Sequence, residues 1–81
     1  MYFVYMLLSL DSFSHTYVGY TKNLSQRLKL HNTGKGAKYT KGRSWKIIYS
    51  KKYTSKSEAI KKEHKLKKNY LLRKKIKNQA L

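Results

Sequence analysis

The chain contains no cysteine and no proline, and only three acidic residues stand among its 81. Without cysteine there is no disulfide framework, no thiolate nucleophile and no Cys-ligated zinc. Without proline there is no proline-rich linker. A long apolar run is also missing. The longest, Met1 to Leu8, is far too short to span a bilayer. It has no basic residue ahead of it and no small-residue cleavage site behind it, so it makes a poor signal peptide. These absences point to a soluble, cytoplasmic protein with no membrane partner.

What is abundant is positive charge. Twenty lysines and arginines against three acids leave a formal net charge of +17. Such a chain folds against its own repulsion, and a polyanion would relieve it. Hydrophobic residues make up 40% of the sequence, enough for one small core and for a single domain over residues 1–81. A small, strongly basic domain is foremost a nucleic-acid binder, and a lipid-surface role is the weaker alternative.

Residues 2–8 are apolar on both alternating faces, which predicts a central strand covered on both sides. Asp11 to Ser14 carries turn chemistry, and residues 16–20 read as a second strand pairing with the first as a hairpin. Asn23 with Gln26 resembles a capping box, opening a helix through Leu24, Leu28 and Leu30 that stops near Asn32, with Gly34 beyond. Residues 33–43 form a glycine- and lysine-rich loop. Trp45 to Tyr53 supplies a third strand, and Ser55 with Glu58 caps a second helix from about residue 56. A break near Asn69 separates it from a last helical segment, Tyr70 to Lys77, where Leu71, Leu72 and Ile76 are expected to pack. The order β-β-α-β-α-α favours a small α+β domain with an antiparallel sheet.

The three carboxylates separate by context. Asp11 is a turn former, and Glu58 belongs to its cap. Glu63 falls on the apolar stripe of its helix with Ala59, Ile60, Leu66 and Tyr70, so it faces inward. It is either half of a buried salt bridge or a ligand for a hard divalent cation, which needs oxygen donors. On the first helix, Arg27 and His31 lie one turn apart beside Leu24 and Leu28. The guanidinium suits a bidentate phosphate clamp, and the imidazole a proton relay or a further phosphate contact. The alternative is that both flank the apolar stripe, with His31 a cation at the helix C-terminus. Three tyrosines, Tyr5, Tyr17 and Tyr20, sit in the first two strands. Tyr17 shares a face with Gly19, and a strand glycine leaves room for close approach. The loop does not fit a Walker motif. Lys35, Lys38, Lys41 and Arg43, with Tyr39 between them, suit phosphate-backbone contacts instead, and Lys22 joins them as an expected nucleic-acid contact.

These features fall in a familiar order. Phe3-Val-Tyr5, then eleven residues, then Tyr17-Val-Gly19, Arg27 on the following helix, the run His31 to Thr40, and Glu58 to Glu63 together resemble the GIY-YIG nuclease superfamily. The similarity extends over nearly the whole chain, is greatest to the small single-domain bacterial members, and also reaches the nuclease domain of excision-repair incision subunits. It implies a three-stranded antiparallel sheet flanked by helices. It also implies metal-dependent hydrolysis of DNA phosphodiesters with one divalent cation, Mg²⁺ or Mn²⁺. By position, Tyr5 and Tyr17 match the motif tyrosines, Arg27 the phosphate-stabilising arginine, His31 a site holding histidine or tyrosine, and Glu63 the metal ligand. Two positions depart from the pattern. Phe3 replaces the first glycine, and Tyr20 stands where excision-repair members carry a lysine, leaving Lys22 as the nearby cation. A late asparagine used by some members would be Asn69 or Asn78. Branched or damaged DNA, RNA, and a protein partner supplying specificity all stay open, as does a rival reading: a basic nucleic-acid-binding module with little or no nuclease activity.

Overall fold

The computed structural model describes residues 1–81. Three strands, β1 (Tyr2–Ser9), β2 (Thr16–Thr21) and β3 (Trp45–Tyr53), form one antiparallel sheet in the order β2-β1-β3. Helix α1 (Leu24–Asn32) joins β2 to β3, and α2 (Lys56–Lys68) and α3 (Tyr70–Ala80) follow β3. This is the expected α+β architecture with the expected element order.

The apolar run at the N-terminus takes the central position because it can be buried on both faces, and every residue from Val4 to Ser9 is buried. Strand alternation then builds two cores. Val4 and Met6 point one way, into a cluster with Val18, Ala59, Leu66 and Ile76 beneath α2 and α3. Tyr5 and Leu7 point the other way, packing with Trp45, Tyr17, Ile47 and the α1 leucines Leu24 and Leu28. Each fully buried aliphatic side chain contributes roughly 1.5–3 kcal/mol. A bulge in β3 shifts the register between Met6, opposite Tyr49, and Leu7, opposite Ile47. The extra residue lets Ile48 and Tyr49, neighbours in sequence, both pack on the Val4–Met6 side.

Three side-chain caps set the helix starts. Asn23 Oδ1 accepts from Gln26 N at 3.1 Å, Ser55 Oγ from Glu58 N at 3.2 Å, and Asn69 Oδ1 from Leu72 N at 3.1 Å. The Asn23 cap is only half a capping box. Its own N–H donates to Thr21 Oγ1 at 3.2 Å, not to Gln26. Helix α1 ends at Gly34, φ +81°, with Lys35 N donating to Leu30 O at 2.8 Å and Gly34 N to His31 O at 3.2 Å. A left-handed residue with this hydrogen-bond pair is a Schellman ending, which favours glycine.

The final helix departs from expectation. Ile76 is buried, but Leu71 is 77% exposed and Leu72 40%, so Leu71 does not pack and Leu72 only borders the Val4–Leu66 side. Tyr70, placed by periodicity on the inward stripe of α2, is 61% exposed. Asn69 both ends α2 and caps α3, and the change of direction there carries Tyr70 off that stripe.

Candidate active site

Register brings the two motif tyrosines to one face. Tyr5 lies opposite Gly19, and Tyr17 opposite Leu7. Gly19 is there because the Tyr5 phenol occupies the space over it: a Cβ would lie 2.6 Å from Tyr5 Oη. The ring therefore crosses the neighbouring strand and delivers its hydroxyl to α1.

There the hydroxyl meets His31. Tyr5 Oη and His31 Nε2 are 2.8 Å apart, and His31 Nδ1 is 2.8 Å from Thr40 Oγ1. The Thr40 hydroxyl donates to Ala37 O at 3.1 Å, so its oxygen is left to accept from Nδ1–H. Nε2 is then the bare nitrogen, and Tyr5 donates to it. Arg27 Nε approaches the same phenol oxygen at 3.5 Å. His31 is fully buried, and Gly36 closes over it so tightly that a Cβ there would lie 2.4 Å from Nδ1. Burial first, and then the neighbouring Arg27 charge, hold the imidazole below its ordinary pKa. His31 is thus a neutral acceptor. Sealed from solvent, it is neither an exposed C-terminal cation nor a direct phosphate contact. The Tyr5 phenol is pushed up, chiefly by burial, with Arg27 pulling the other way and the charges of Tyr17 and Glu63 adding to the rise.

Tyr17 stacks beside this chain, its ring 5.0 Å from His31 and 6.0 Å from Tyr39 on the other side. Tyr39, 55% exposed, forms the outer wall and also meets His15 and Trp45. Glu63 arrives from α2, and its side chain is 9% exposed. Oε1 faces Lys67 Nζ at 3.5 Å and His64 Nε2 at 3.7 Å, while Oε2 has no ionic partner. Its partner is therefore a lysine one turn along its own helix. That Lys67 lines a recess with Tyr17 and Tyr39, at the edge of β2. Tyr5, Tyr17, Arg27 and His31 are brought into one cluster, with Glu63 near enough to act on the Tyr5 phenol.

The remaining expected contacts disperse. Lys35, Lys38 and Lys41 lie along the loop, while Arg43 is tied to Asp11 and lies over the Phe13 ring. Lys22 sits over the Tyr2 ring, five positions beyond Tyr17 along the strand, on the order of 16 Å away. Tyr20 turns to the opposite face and joins the Val4–Met6 core, so the groups that touch the Tyr5 hydroxyl are His31 and Arg27. Sequence reading missed Thr40, Gly36 and Arg73. For Gly36 and Thr40 the sequence offers a loop with three glycines and two threonines and a resemblance over His31 to Thr40, but nothing that singles out either residue. No three His, Asp or Glu side chains converge, so Glu63 stands alone as a potential metal ligand.

This sheet, with paired tyrosines over a helix-borne arginine and a glutamate brought in from the next helix, defines a nuclease-type domain. The chain belongs to the GIY-YIG family, whose catalytic-domain model matches residues 1–77. It is similar to a UPF0213 protein of Oceanobacillus iheyensis, 48% identical over 67 residues that cover 82% of this chain and 76% of that one. A UPF0213 protein of Staphylococcus aureus is 41% identical over 76 residues, covering 93% and 89% of the two chains. The solution NMR structure of a UPF0213 protein from Bacillus halodurans matches with a TM-score of 0.53 at 35% identity, over 93% of this chain and 80% of that one. The family implies a nucleic-acid substrate, and its nucleases generally depend on a divalent metal.

Proposed function

We propose that this protein is an endonuclease that hydrolyses DNA phosphodiesters with Mg²⁺ or Mn²⁺. The observation that carries this reading is the Tyr5–His31–Thr40 hydrogen-bond chain, with Arg27 against the same phenol oxygen. A structural tyrosine would be served by one hydrogen bond. Here a buried, neutral imidazole is held with its bare nitrogen on the phenol.

That arrangement suits proton transfer without a free phenolate. Because burial raises the Tyr5 pKa, the phenol rests protonated. Arg27 first turns from the buried Tyr5 Oη to the phosphate and opens a way to it. The attacking water then gives its proton to Tyr5 Oη while the phenol proton passes to His31 Nε2. The opposite P–O bond breaks, and the departing sugar oxygen takes a proton from solvent. The resulting imidazolium keeps its Nδ1–H on Thr40. Arg27 opposes that charge, and the substrate phosphate offsets Arg27 while the guanidinium steadies the phosphoryl oxygens. The Tyr17 hydroxyl has no partner within the protein and is free to hold a phosphate oxygen.

Glu63 fits a divalent cation. Its buried carboxylate has one oxygen without an ionic partner, and the other has only Lys67 and His64 within ion-pair distance. Mg²⁺ is commonly held by one or two carboxylates and completed by water and phosphate. When bound, the cation would supply Lewis-acid neutralisation of charge developing on the phosphate.

Nicking of supercoiled plasmid by the purified protein tests the proposal. Nicks should require Mg²⁺ or Mn²⁺, vanish with chelator, and be lost in Glu63→Gln while DNA binding persists. DNA binding without nicks on any plasmid, single-stranded or branched substrate would favour the binding-module reading.

A further inference from the structure

We infer that Arg73, with Lys67, forms a subsite for the phosphodiester next to the one that is cleaved. The inference rests on the nuclease reading for what counts as cleaved, and on separate residues for the subsite itself. Arg73 Nε is the one buried side-chain nitrogen or oxygen left without a hydrogen-bond partner. An unsatisfied buried donor costs about 1–3 kcal/mol, and more when charged, so it calls for an explanation.

Its surroundings supply one. Arg73 lines a recess of about 240 Å³ with Thr16, Tyr17, Val18, Tyr39 and Lys67. Two cations, two tyrosines and a threonine meet there, without an acid. The guanidinium carbon lies over the Tyr70 ring, 5.8 Å from its centre, a cation–π contact that helps hold the side chain in place. Thr16 and Arg73 also line the adjoining recess of about 300 Å³, which continues along α3 to Lys74, Lys77 and Asn78. A basic trough therefore leads away from Tyr17 along the C-terminal helix, on the side of the domain where Lys67 holds Glu63.

A tetrahedral phosphate oxygen pair matches a guanidinium fork with a spare N–H. The exposed Tyr39 ring beside it suits the sugar or base of the same nucleotide. An acidic peptide could satisfy the charges, but the aromatic walls and the continuity with Tyr17 favour a nucleotide.

Neutral linkages test the assignment. Short oligonucleotides, each with one methylphosphonate at a different position, are bound in chelator so that nothing is cut, and affinity is read by fluorescence anisotropy. Wild type should lose about 10- to 100-fold at one linkage, the magnitude of a charge-assisted hydrogen bond. Arg73→Met should bind more weakly and show no further loss at that linkage, whereas Arg73→Lys should restore part of it. In Mg²⁺, cleavage should fall beside that linkage and not at it. A flat wild-type profile would overturn the subsite even if Arg73→Met failed to fold. So would an unchanged profile in a folded Arg73→Met, loss at the cleaved linkage itself, loss confined to terminal phosphates, or displacement by polyglutamate as effective as by DNA. A linkage-specific loss that depends on Arg73 in a protein that cuts nothing would keep the subsite and refute the nuclease reading.

Discussion

Substituting Gly36 by alanine is the sharpest probe of the buried imidazole. Gly36 does not need glycine for its backbone, since the left-handed glycines are Gly34 and Gly42. The constraint is steric. A Cβ at Gly36 would lie 2.4 Å from His31 Nδ1, 2.7 Å from Cγ and 2.8 Å from Cε1. Relief requires the ring to move about 1 Å, more than a hydrogen bond tolerates without weakening sharply. The 2.8 Å bonds to Tyr5 and Thr40 would both be compromised. Two buried hydrogen bonds at about 1 kcal/mol each, plus roughly 1–3 kcal/mol of overpacking, give about 3–5 kcal/mol. For a domain of this size that lowers Tm by on the order of 12 °C or more. Gly42→Ala is the control: its φ is +83° and nothing lies within 4 Å of a Cβ there. It should cost only the left-handed backbone penalty, about 1–2 kcal/mol. Thermal melts by circular dichroism, paired with plasmid nicking, compare the two. If Gly36→Ala melted no lower than Gly42→Ala and nicked as fast as wild type, the clamp on His31 would be refuted.

Tyr5→Phe should lower nicking by about 10²- to 10⁴-fold, the range for a lost acid–base group. Native-like circular dichroism with an unchanged rate would remove Tyr5 from the chemistry. The depressed His31 pKa has a stability consequence: as pH falls, the unfolded chain takes up the proton first. His31 stabilisation is therefore complete above the ordinary value of about 6.5 and is lost as pH falls through the lower folded-state value. Wild type should lose Tm on acidification across that window more steeply than His31→Gln, and equal slopes would contradict the assignment. The nicking rate should have its acid limb below about pH 6.5, and a limb above it would mean that His31 is not the acceptor. Replacing Lys35, Lys38 and Lys41 together by alanine should weaken binding to all sequences alike. The slope of log affinity against log salt should flatten by about 0.9 for each duplex phosphate that the variant no longer neutralises, and an unchanged slope would place the DNA elsewhere.

Local signals made most of the frame legible. The doubly apolar run at residues 2–8 reads as a central strand, and alternation alone puts Tyr17 on one face with Gly19. Asn23 and Ser55 announced their helices because a cap is read within one turn. The clamp around His31 was not legible, because it joins β1, the end of α1 and a loop across tertiary distance. Periodicity carries no information about which loop hydroxyl will meet a ring nitrogen. Glu63 was legible as inward-facing but not as paired to Lys67, since several lysines at helical spacing could have served. Tyr70, Leu71 and Leu72 were misread for a geometric reason. The α2 stripe does not run on through Asn69, where one capping residue redirects the chain and exposes Tyr70, while α3 turns Ile76 to the core and leaves Leu71 outside. Arg73 was invisible in sequence because it is one cation among many, and its meaning lies in an unpartnered Nε beside Tyr17.

The scarcity of acid has a structural answer that bears on how the protein meets a polyanion. Asp11 is tied to Arg43, Glu58 stands in the first turn of α2, and Glu63 faces Lys67 and His64. Three carboxylates cannot pair twenty cations. Aromatic faces take up part of the difference: Lys22 lies over Tyr2, Arg43 over Phe13, Lys51 over Tyr53, Lys52 over Phe3 and Arg73 over Tyr70. Each such pairing contributes about 0.5–1 kcal/mol at an exposed site. A ring differs from a carboxylate in one respect that matters here, because it holds a cation in place without cancelling its charge. The cations keep their charge, and the field of +17 reaches outward to steer a phosphate backbone. Carboxylates beside those cations would relieve repulsion only by cancelling the charge, and they would shorten the reach of the field toward a nucleic acid. The rings avoid that, and Tyr2 and Tyr53 also pack on the Val4–Met6 core.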